Sequence, residues 1–166
     1  MATYDNDLRL KEITTGDEDG TWGTSTNTNL ELIADSFSYG TKAMPSNANT
    51  TFTMADAASD TTRSFYLKIT SAVSLTATRT VTLGPNTVSK VWLIENATTG
   101  GQSIIISQGS GANVTVPNGS KVFIATDGNG VGAAVYNANP TEVGGTVTSV
   151  GGTGTVQGLT LSGTVT

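Results

Sequence analysis

Residues 64–70 read Ser-Phe-Tyr-Leu-Lys-Ile-Thr, and residues 80–83 read Thr-Val-Thr-Leu. In both stretches apolar side chains alternate with polar ones, which is the period of a strand that buries one face. Turn signals rich in glycine and asparagine separate such stretches every eight to twelve residues from about residue 41 to residue 136. This spacing predicts a mainly β fold whose centre, residues 41–140, is a compact antiparallel sandwich or barrel-like domain.

The composition narrows the chemistry that this chain can perform. It has 166 residues, no cysteine, no histidine and a formal net charge of -5. It therefore lacks thiolate nucleophiles, cysteine-based metal sites and the usual general base of enzymes. Acidity argues against nucleic acid, because phosphate binding needs a basic surface, and the longest apolar runs are too short to span a bilayer. We expect a non-enzymatic protein with no cofactor, no metal, no nucleic-acid partner and no membrane insertion.

One segment before the β region has the period of a helix, and we predict a short helix over residues 28–39. Thr28 and Glu31 have the spacing of a capping box, and Gly40 is placed to end the helix as a left-handed cap. Its apolar residues form one stripe that must pack against something, because so short a helix is marginal alone. The stripe consists of Leu30, Ile33, Ala34 and Phe37.

The two ends of the chain differ from its centre. Residues 1–40 form a predicted attachment arm, in which residues 8–11 read Leu-Arg-Leu-Lys as a short edge strand. Residues 143–166 carry no charge, no aromatic residue and no proline, and they repeat Gly-Thr-Val-Thr. Such a neutral β-prone segment aggregates unless it pairs. We therefore predict that residues 141–166 begin an extended Gly/Thr-rich β tail, which pairs with copies of itself in other chains.

Several polar or aromatic groups carry both a chemical and a structural interpretation. The acidic loop 17–19 and the loop 127–130 resemble fragments of calcium sites, but they fit a solvated loop and a hairpin turn with positive φ better. Asp56 and Asp60 are the nearest pair for glycoside hydrolysis, and they fit a surface loop better. Trp22 and Trp92 could stack on sugars; we expect Trp92 in the core and Trp22 in packing or at an interface.

The segment Gly20-Thr21-Trp22-Gly23, followed by Asn27-Thr28-Asn29-Leu30-Glu31, resembles the amino-terminal part of bacteriophage tail-fibre proteins, notably those of marine and cyanobacterial phages. Residues 78–83, 95–101 and 116–119 are similar to the β domain of that family, and residues 145–156 to its repetitive linker. The resemblance implies a homotrimeric virion protein of the tail, made in the host cytoplasm. It implies an amino-terminal region that docks on other tail proteins, and distal parts that reach the host surface and its glycans.

These observations give the working interpretation of a tail-proximal fibre segment with a mechanical role. Attachment and trimerisation are expected to use large apolar residues of the arm and helix, which are Leu8, Leu10, Trp22, Leu30, Ile33 and Phe37. Three alternatives stay open: a carbohydrate-binding adhesin module, a head-decoration or fibre protein, and, less favoured, a polysaccharide depolymerase.

Overall fold

The computed structural model describes residues 2–140 and the backbone of two short strands further on. It contains one α-helix, α1 (Trp22–Asp35), and a short 3₁₀ turn at Thr61–Arg63. A second 3₁₀ turn lies at Gly130–Gly132. The strands are β1 (Tyr39–Met44), β2 (Thr50–Thr53), β3 (Tyr66–Ser71), β4 (Arg79–Gly84), β5 (Val91–Asn96), β6 (Ile104–Ser107), β7 (Val114–Val116), β8 (Lys121–Thr126), β9 (Val135–Asn137), β10 (Thr155–Val156) and β11 (Leu159–Thr160).

Two sheets are built by a chain that crosses repeatedly from one to the other. The larger sheet has the order β1-β3-β5-β8-β9, and the smaller sheet has the order β2-β4-β6-β7. From β1 to β6 consecutive strands belong to different sheets, so each circuit of the chain adds one parallel strand to each sheet. In the larger sheet Tyr39 pairs with Tyr66 and Tyr66 with Leu93, a spacing of 27 residues per circuit. This is the wiring of a short solenoid.

The predicted mainly β fold with one short helix is confirmed. The prediction of antiparallel pairing is wrong among the first six strands, which pair with one another in parallel. The turn signals at residues 84–86 and 98–101 are corners between the two sheets rather than hairpins. Gly100 has a φ of +100°, and a Cβ there would overlap the Leu75 backbone. The antiparallel pairs among the described strands are β5–β8, β6–β7, β8–β9 and β10–β11. Neither sheet closes into a barrel among the described strands.

The core lies between the two sheets and confirms the alternation read from the sequence. Leu67 and Ile69 of β3 and Val81 and Leu83 of β4 are buried. The apolar run at residues 90–94 is typical of a strand buried on both faces, but the residues of β5 alternate between buried and more exposed. Only one face of this strand therefore lies in the core. Burial of such aliphatic side chains contributes about 1.5–3 kcal/mol each.

The helix lies six residues earlier than predicted at its start and ends at Asp35. Thr28 and Glu31 are therefore interior residues, and no side chain caps the first turn. The end is set by two serines: the Ser36 hydroxyl donates to the Ile33 carbonyl at 2.6 Å, and the Ser38 hydroxyl donates to the Asp35 carbonyl at 2.7 Å. Such local bonds compete with helix continuation.

Gly40 is not a helix cap but a buried residue of β1. A Cβ at this position would overlap the Ser64 hydroxyl, so glycine permits the close approach of the segment before β3.

Residues 8–11 do not form the predicted edge strand. Arg9 has a φ of +52°, and the Asn6 side chain bonds both the amide and the carbonyl of Leu10 at 2.8 and 2.9 Å. A turn results, closed by an isolated bridge between Thr3 and Glu12. The predicted tail lies outside the described residues apart from β10 and β11, which pair antiparallel with each other.

One buried side-chain amide, at the end of β5, connects the two sheets. The Asn96 side chain is fully buried; its Nδ2 donates to the carbonyls of Gln102 and Val116 at 3.0 and 2.9 Å. Its Oδ1 accepts from the amide and the hydroxyl of Thr98 at 3.2 and 2.7 Å. Every hydrogen-bonding position of this amide is thus used.

We therefore expect Asn96→Asp to lower the free energy of unfolding by about 2–4 kcal/mol, because the new carboxylate would face two carbonyl oxygens in the core. Urea unfolding followed by tryptophan fluorescence measures this. Asn113 is exposed, so Asn113→Asp is the matched control and should change stability by less than about 0.5 kcal/mol. Equal effects of the two substitutions would contradict the assigned role of Asn96.

Candidate functional site

The outer side of α1 is the most apolar surface that the described residues leave uncovered. Trp22 is 62 % exposed, Leu30 58 %, Ile33 36 % and Phe37 78 %. At 100° per residue Trp22, Leu30 and Ile33 of α1 lie within an arc of about 80°. Phe37 follows two residues after the helix ends at Asp35. The only other residue in that arc is Thr26, so the surface carries no charge. We call this set, Trp22, Leu30, Ile33 and Phe37, the helix face.

The structure thus leaves four of the six predicted interface residues exposed along α1 and just beyond its end. The other two, Leu8 and Leu10, are half-buried in the amino-terminal segment. That segment is bound to the side of α1: the Asn29 side chain accepts from the Lys11 amide at 3.0 Å and donates to its carbonyl at 2.8 Å. Ala34, also expected in the stripe, is exposed, whereas Leu32 is the buried helix residue.

The amino-terminal segment is held against the β domain rather than projecting as a separate arm. The Arg9 guanidinium pairs with the Asp56 carboxylate at 2.7 Å, and the Arg9 carbonyl accepts from the Ala57 amide at 2.9 Å. The Asp7 carboxylate accepts from the Ser89 amide at 2.7 Å. These contacts fix the position of α1 relative to the sheets.

A small polar cavity of about 190 Å³ lies between this segment and the helix, lined in part by Tyr4, Thr28 and Asn29. The Lys11 ammonium, at its wall, pairs with the Glu18 carboxylate and donates to the Ser25 hydroxyl. The volume is below that of typical small-molecule sites. This pairing also gives Glu18 of the acidic loop a structural role.

The two aspartates considered for glycoside hydrolysis have structural partners. Asp56 pairs with Arg9, as described above. Asp60 accepts from the Thr62 and Ala55 amides at 2.7 and 2.8 Å and so caps the 3₁₀ turn. Fully buried Arg63 donates to the carbonyls of Ala55 and Ala58 at 2.7 and 3.1 Å. These bonds shape the loop between β2 and β3, consistent with the surface-loop interpretation.

The 127–130 loop is a hairpin connection, as predicted, with positive φ at Gly128 and Gly130. The Asp127 carboxylate accepts from the amides of Ala134 and Asn129 at 2.9 and 3.1 Å. These bonds stabilise the charged carboxylate and so hold the pKa of Asp127 below its usual value. Within residues 2–140 there is no group of three or more acidic side chains that could hold a metal ion.

Lys90 is a half-buried cation without a carboxylate partner in the described part of the chain. Its ammonium lies 4.5 Å from the centre of the Trp92 ring and donates to the Val91 carbonyl at 3.2 Å. Burial, and secondarily the charge of Arg63, lower the pKa of Lys90 to about 8. Trp92 itself is buried, as predicted, and its indole nitrogen donates to the Thr62 carbonyl at 2.9 Å.

A lowered lysine pKa means that the folded state binds fewer protons than the unfolded state between pH 8 and pH 10.5. The free energy of unfolding should therefore rise with pH from about 8 upward. Lys90→Met removes the half-buried charge and leaves an unbranched apolar side chain of similar length. We expect it to stabilise the protein at pH 7 by about 1–2 kcal/mol and to flatten this rise.

Thermal melts between pH 7 and pH 9.5 measure both effects. Lys121 is exposed, so Lys121→Met is the control that should leave the pH profile unchanged. A Lys90→Met protein with the original pH dependence would contradict the assignment.

A second surface feature was missed in the sequence: an aromatic row on the outer face of the larger sheet. The pairing register aligns Tyr39, Tyr66, Leu93 and Phe123 on adjacent strands. The Tyr66 hydroxyl donates to the Glu95 carboxylate, which raises the pKa of Tyr66 to about 12. The sequence does contain a signal for this row: Tyr66 is an aromatic residue at a position where the alternation of residues 64–70 is otherwise polar. Flat rings beside hydrogen-bonding groups can stack on a sugar.

Comparison with protein families, curated proteins and solved structures gives no match. No helix among the described residues is both long and apolar enough to cross a membrane.

Proposed function

We propose that this chain is a structural protein of a virion, the tail-proximal part of a trimeric tail fibre. The observation that carries the proposal is the helix face. Three large apolar side chains on the outside of α1 and Phe37 just beyond its end are exposed. Asn29 binds the helix to the amino-terminal segment, which is itself held against the β domain. An uncharged apolar surface of this kind is typical of an interface.

Contact between copies of this chain requires an uncharged surface for an electrostatic reason. Each copy carries a net charge of -5, so most surfaces of two copies repel each other at low ionic strength. The helix face has no charged residue within its arc, and three such faces can meet around an axis with their tryptophan and phenylalanine rings in contact. The resemblance to tail-fibre proteins supports the number three.

In this proposal the function is mechanical. The docked amino-terminal segment and α1 hold three copies together and contact other tail proteins. The two-sheet domain is a rigid spacer, and the Gly/Thr-rich tail from residue 141 leads into a shaft that carries the host-contacting parts. The role requires no catalytic group, no cofactor and no metal.

We expect the purified protein to elute as a trimer, and Ile33→Ser with Phe37→Ser to convert it to a monomer while the β fold is kept. The mass is measured by light scattering and the fold by circular dichroism. Val131 is 82 % exposed outside the helix face, so Val131→Ser is the control and should remain trimeric. A well-folded wild-type monomer at micromolar concentration would refute the proposal.

A carbohydrate-binding module is the second candidate, because of the aromatic row. Tyr39 is 57 % exposed at one end of that row, beside the polar groups of Thr41 and Lys68 on the same face. If a glycan stacks there, Tyr39→Ala should weaken binding on a glycan array at least tenfold. Tyr136, also exposed but on β9, provides the control Tyr136→Ala. An array with no hits for the wild-type protein would remove this candidate.

A further inference from the structure

The stack formed by the two sheets has two ends: the near end, formed by β1 and β2, and the far end, formed by β9 and β7. The two ends differ in how their strand edges are covered. At the far end the segment 110–112 bonds with β9 and its connection: the Val135 amide donates to the Ala112 carbonyl at 2.7 Å, and the Gly111 amide donates to the Ala133 carbonyl at 3.1 Å. At the near end β1 and β2 are the outermost strands of their sheets, and no described strand or helix pairs with their outer edges. The stack is closed at one end and open at the other.

The open edge of β1 can be assigned residue by residue. The carbonyls of Ser38 and Met44 accept from β3 and the residue after it, at 3.1 and 2.9 Å. Because the backbone groups of successive strand residues point to opposite sides, the even-numbered residues of β1 face β3. The amides and carbonyls of Tyr39, Thr41 and Ala43 therefore point outward, and all three residues are exposed. A row of free donors and acceptors of this kind is a template for another strand.

The side chains of β1 favour one kind of partner strand over others. The Lys42 side chain lies on the core side of the strand; its ammonium donates to the Thr62 hydroxyl at 2.8 Å and lies 5.3 Å from the centre of the Phe52 ring. A charge on the inner side of an edge strand disfavours an apolar strand beside it. A strand of Thr, Ser and Gly is compatible, because its hydroxyl groups can accept from an ammonium. Residues 145–150 read Gly-Thr-Val-Thr-Ser-Val, with no charge to bury.

We propose that the open edge of β1 receives residues 143–154 of a neighbouring copy as an added strand. This inference rests on the proposed self-association and specifies the segment that completes it. The edge adjoins the helix face, because Phe37 precedes Tyr39 by only two residues, so the two surfaces form one continuous interface. Strand addition supplies main-chain hydrogen bonds that the helix face lacks.

The neighbouring copy is a better donor than the same copy. The continuously described part of the chain reaches Pro140 just after β9, which is the opposite edge of the five-stranded sheet from β1. Crossing that sheet spans about 19 Å and consumes about six residues of chain, which uses part of the segment before any pairing begins. Donation to a neighbour is a head-to-tail contact, and three copies close it into a ring.

The absence of native cysteine from these 166 residues allows a clean cross-linking test in the whole chain. Thr41→Cys in a tagged copy is co-expressed with an untagged copy that carries a single cysteine at one position from 146 to 150. Mild oxidation links only pairs whose Cα atoms approach within about 7 Å. We expect a mixed disulfide between the two copies, strongest at alternate tail positions. Thr51→Cys on the open edge of β2 is the matched control and should link at most one-fifth as much.

Three outcomes would overturn the inference. They are dominant 41–41 links between copies, stronger linking of the tail to residue 51, and a link that forms only within one chain when both cysteines are placed in it. The mass of the same samples distinguishes failure of this inference from failure of the proposed function. A trimer that forms no disulfide between residue 41 and the tail refutes the added strand alone. A monomer refutes both.

Thr41→Pro gives an independent readout, because it removes an outward amide and leaves the bonds to β3 intact. By hydrogen exchange of the full chain, the amide of Ala43 should be protected at high protein concentration in the wild type and lose at least tenfold of that protection in Thr41→Pro. The Lys42 amide, which faces β3, should keep its protection. An Ala43 amide that exchanges freely at every wild-type concentration would contradict the proposal.

Discussion

Parallel pairing between successive circuits of the chain is the constraint on which the rest of the structure depends. A parallel strand obtains its partner from the previous or the next circuit, never from an adjacent hairpin. The 27-residue spacing of Tyr39, Tyr66 and Leu93 keeps their side chains in one row. The same constraint leaves the first circuit without a partner on its outer side. The open edge is thus a direct result of the topology.

The sequence predicted the strands better than their connections. Alternation located β3 and β4 because each buries one face, and Leu67 and Leu83 lie in the core as expected. The circuit length could not be found, because the aligned core positions hold unlike residues: Gly40 aligns with Leu67, and Lys42 with Ile69. A glycine–asparagine turn signal marks a reversal of the chain, but it does not distinguish a hairpin from a corner between sheets.

For the helix, tertiary contacts overrode the capping pattern. Thr28 and Glu31 have the spacing of a capping box, yet the helix continues toward Trp22 because Lys11 and Asn29 bind the preceding segment to its side. Of the predicted stripe, Leu30, Ile33 and Ala34 lie on the helix and are exposed, whereas Phe37 lies beyond the helix end. The strand β1 was not predicted, because Tyr-Gly-Thr-Lys-Ala-Met places a glycine and a lysine at the inward positions, where apolar residues are the usual signal.

The helix face and the open edge have complementary energetics in assembly. Apolar burial is strong but non-directional, so three helix faces alone would hold copies together without defining their rotation about the axis. Main-chain hydrogen bonds contribute only about 0.5–1.5 kcal/mol each, but they require a defined register. The inward Lys42 adds selection, because it disfavours an apolar strand on the same edge. A surface that combines the helix face with the open edge of β1 favours one defined oligomer. An exposed edge strand on its own would favour open-ended aggregation.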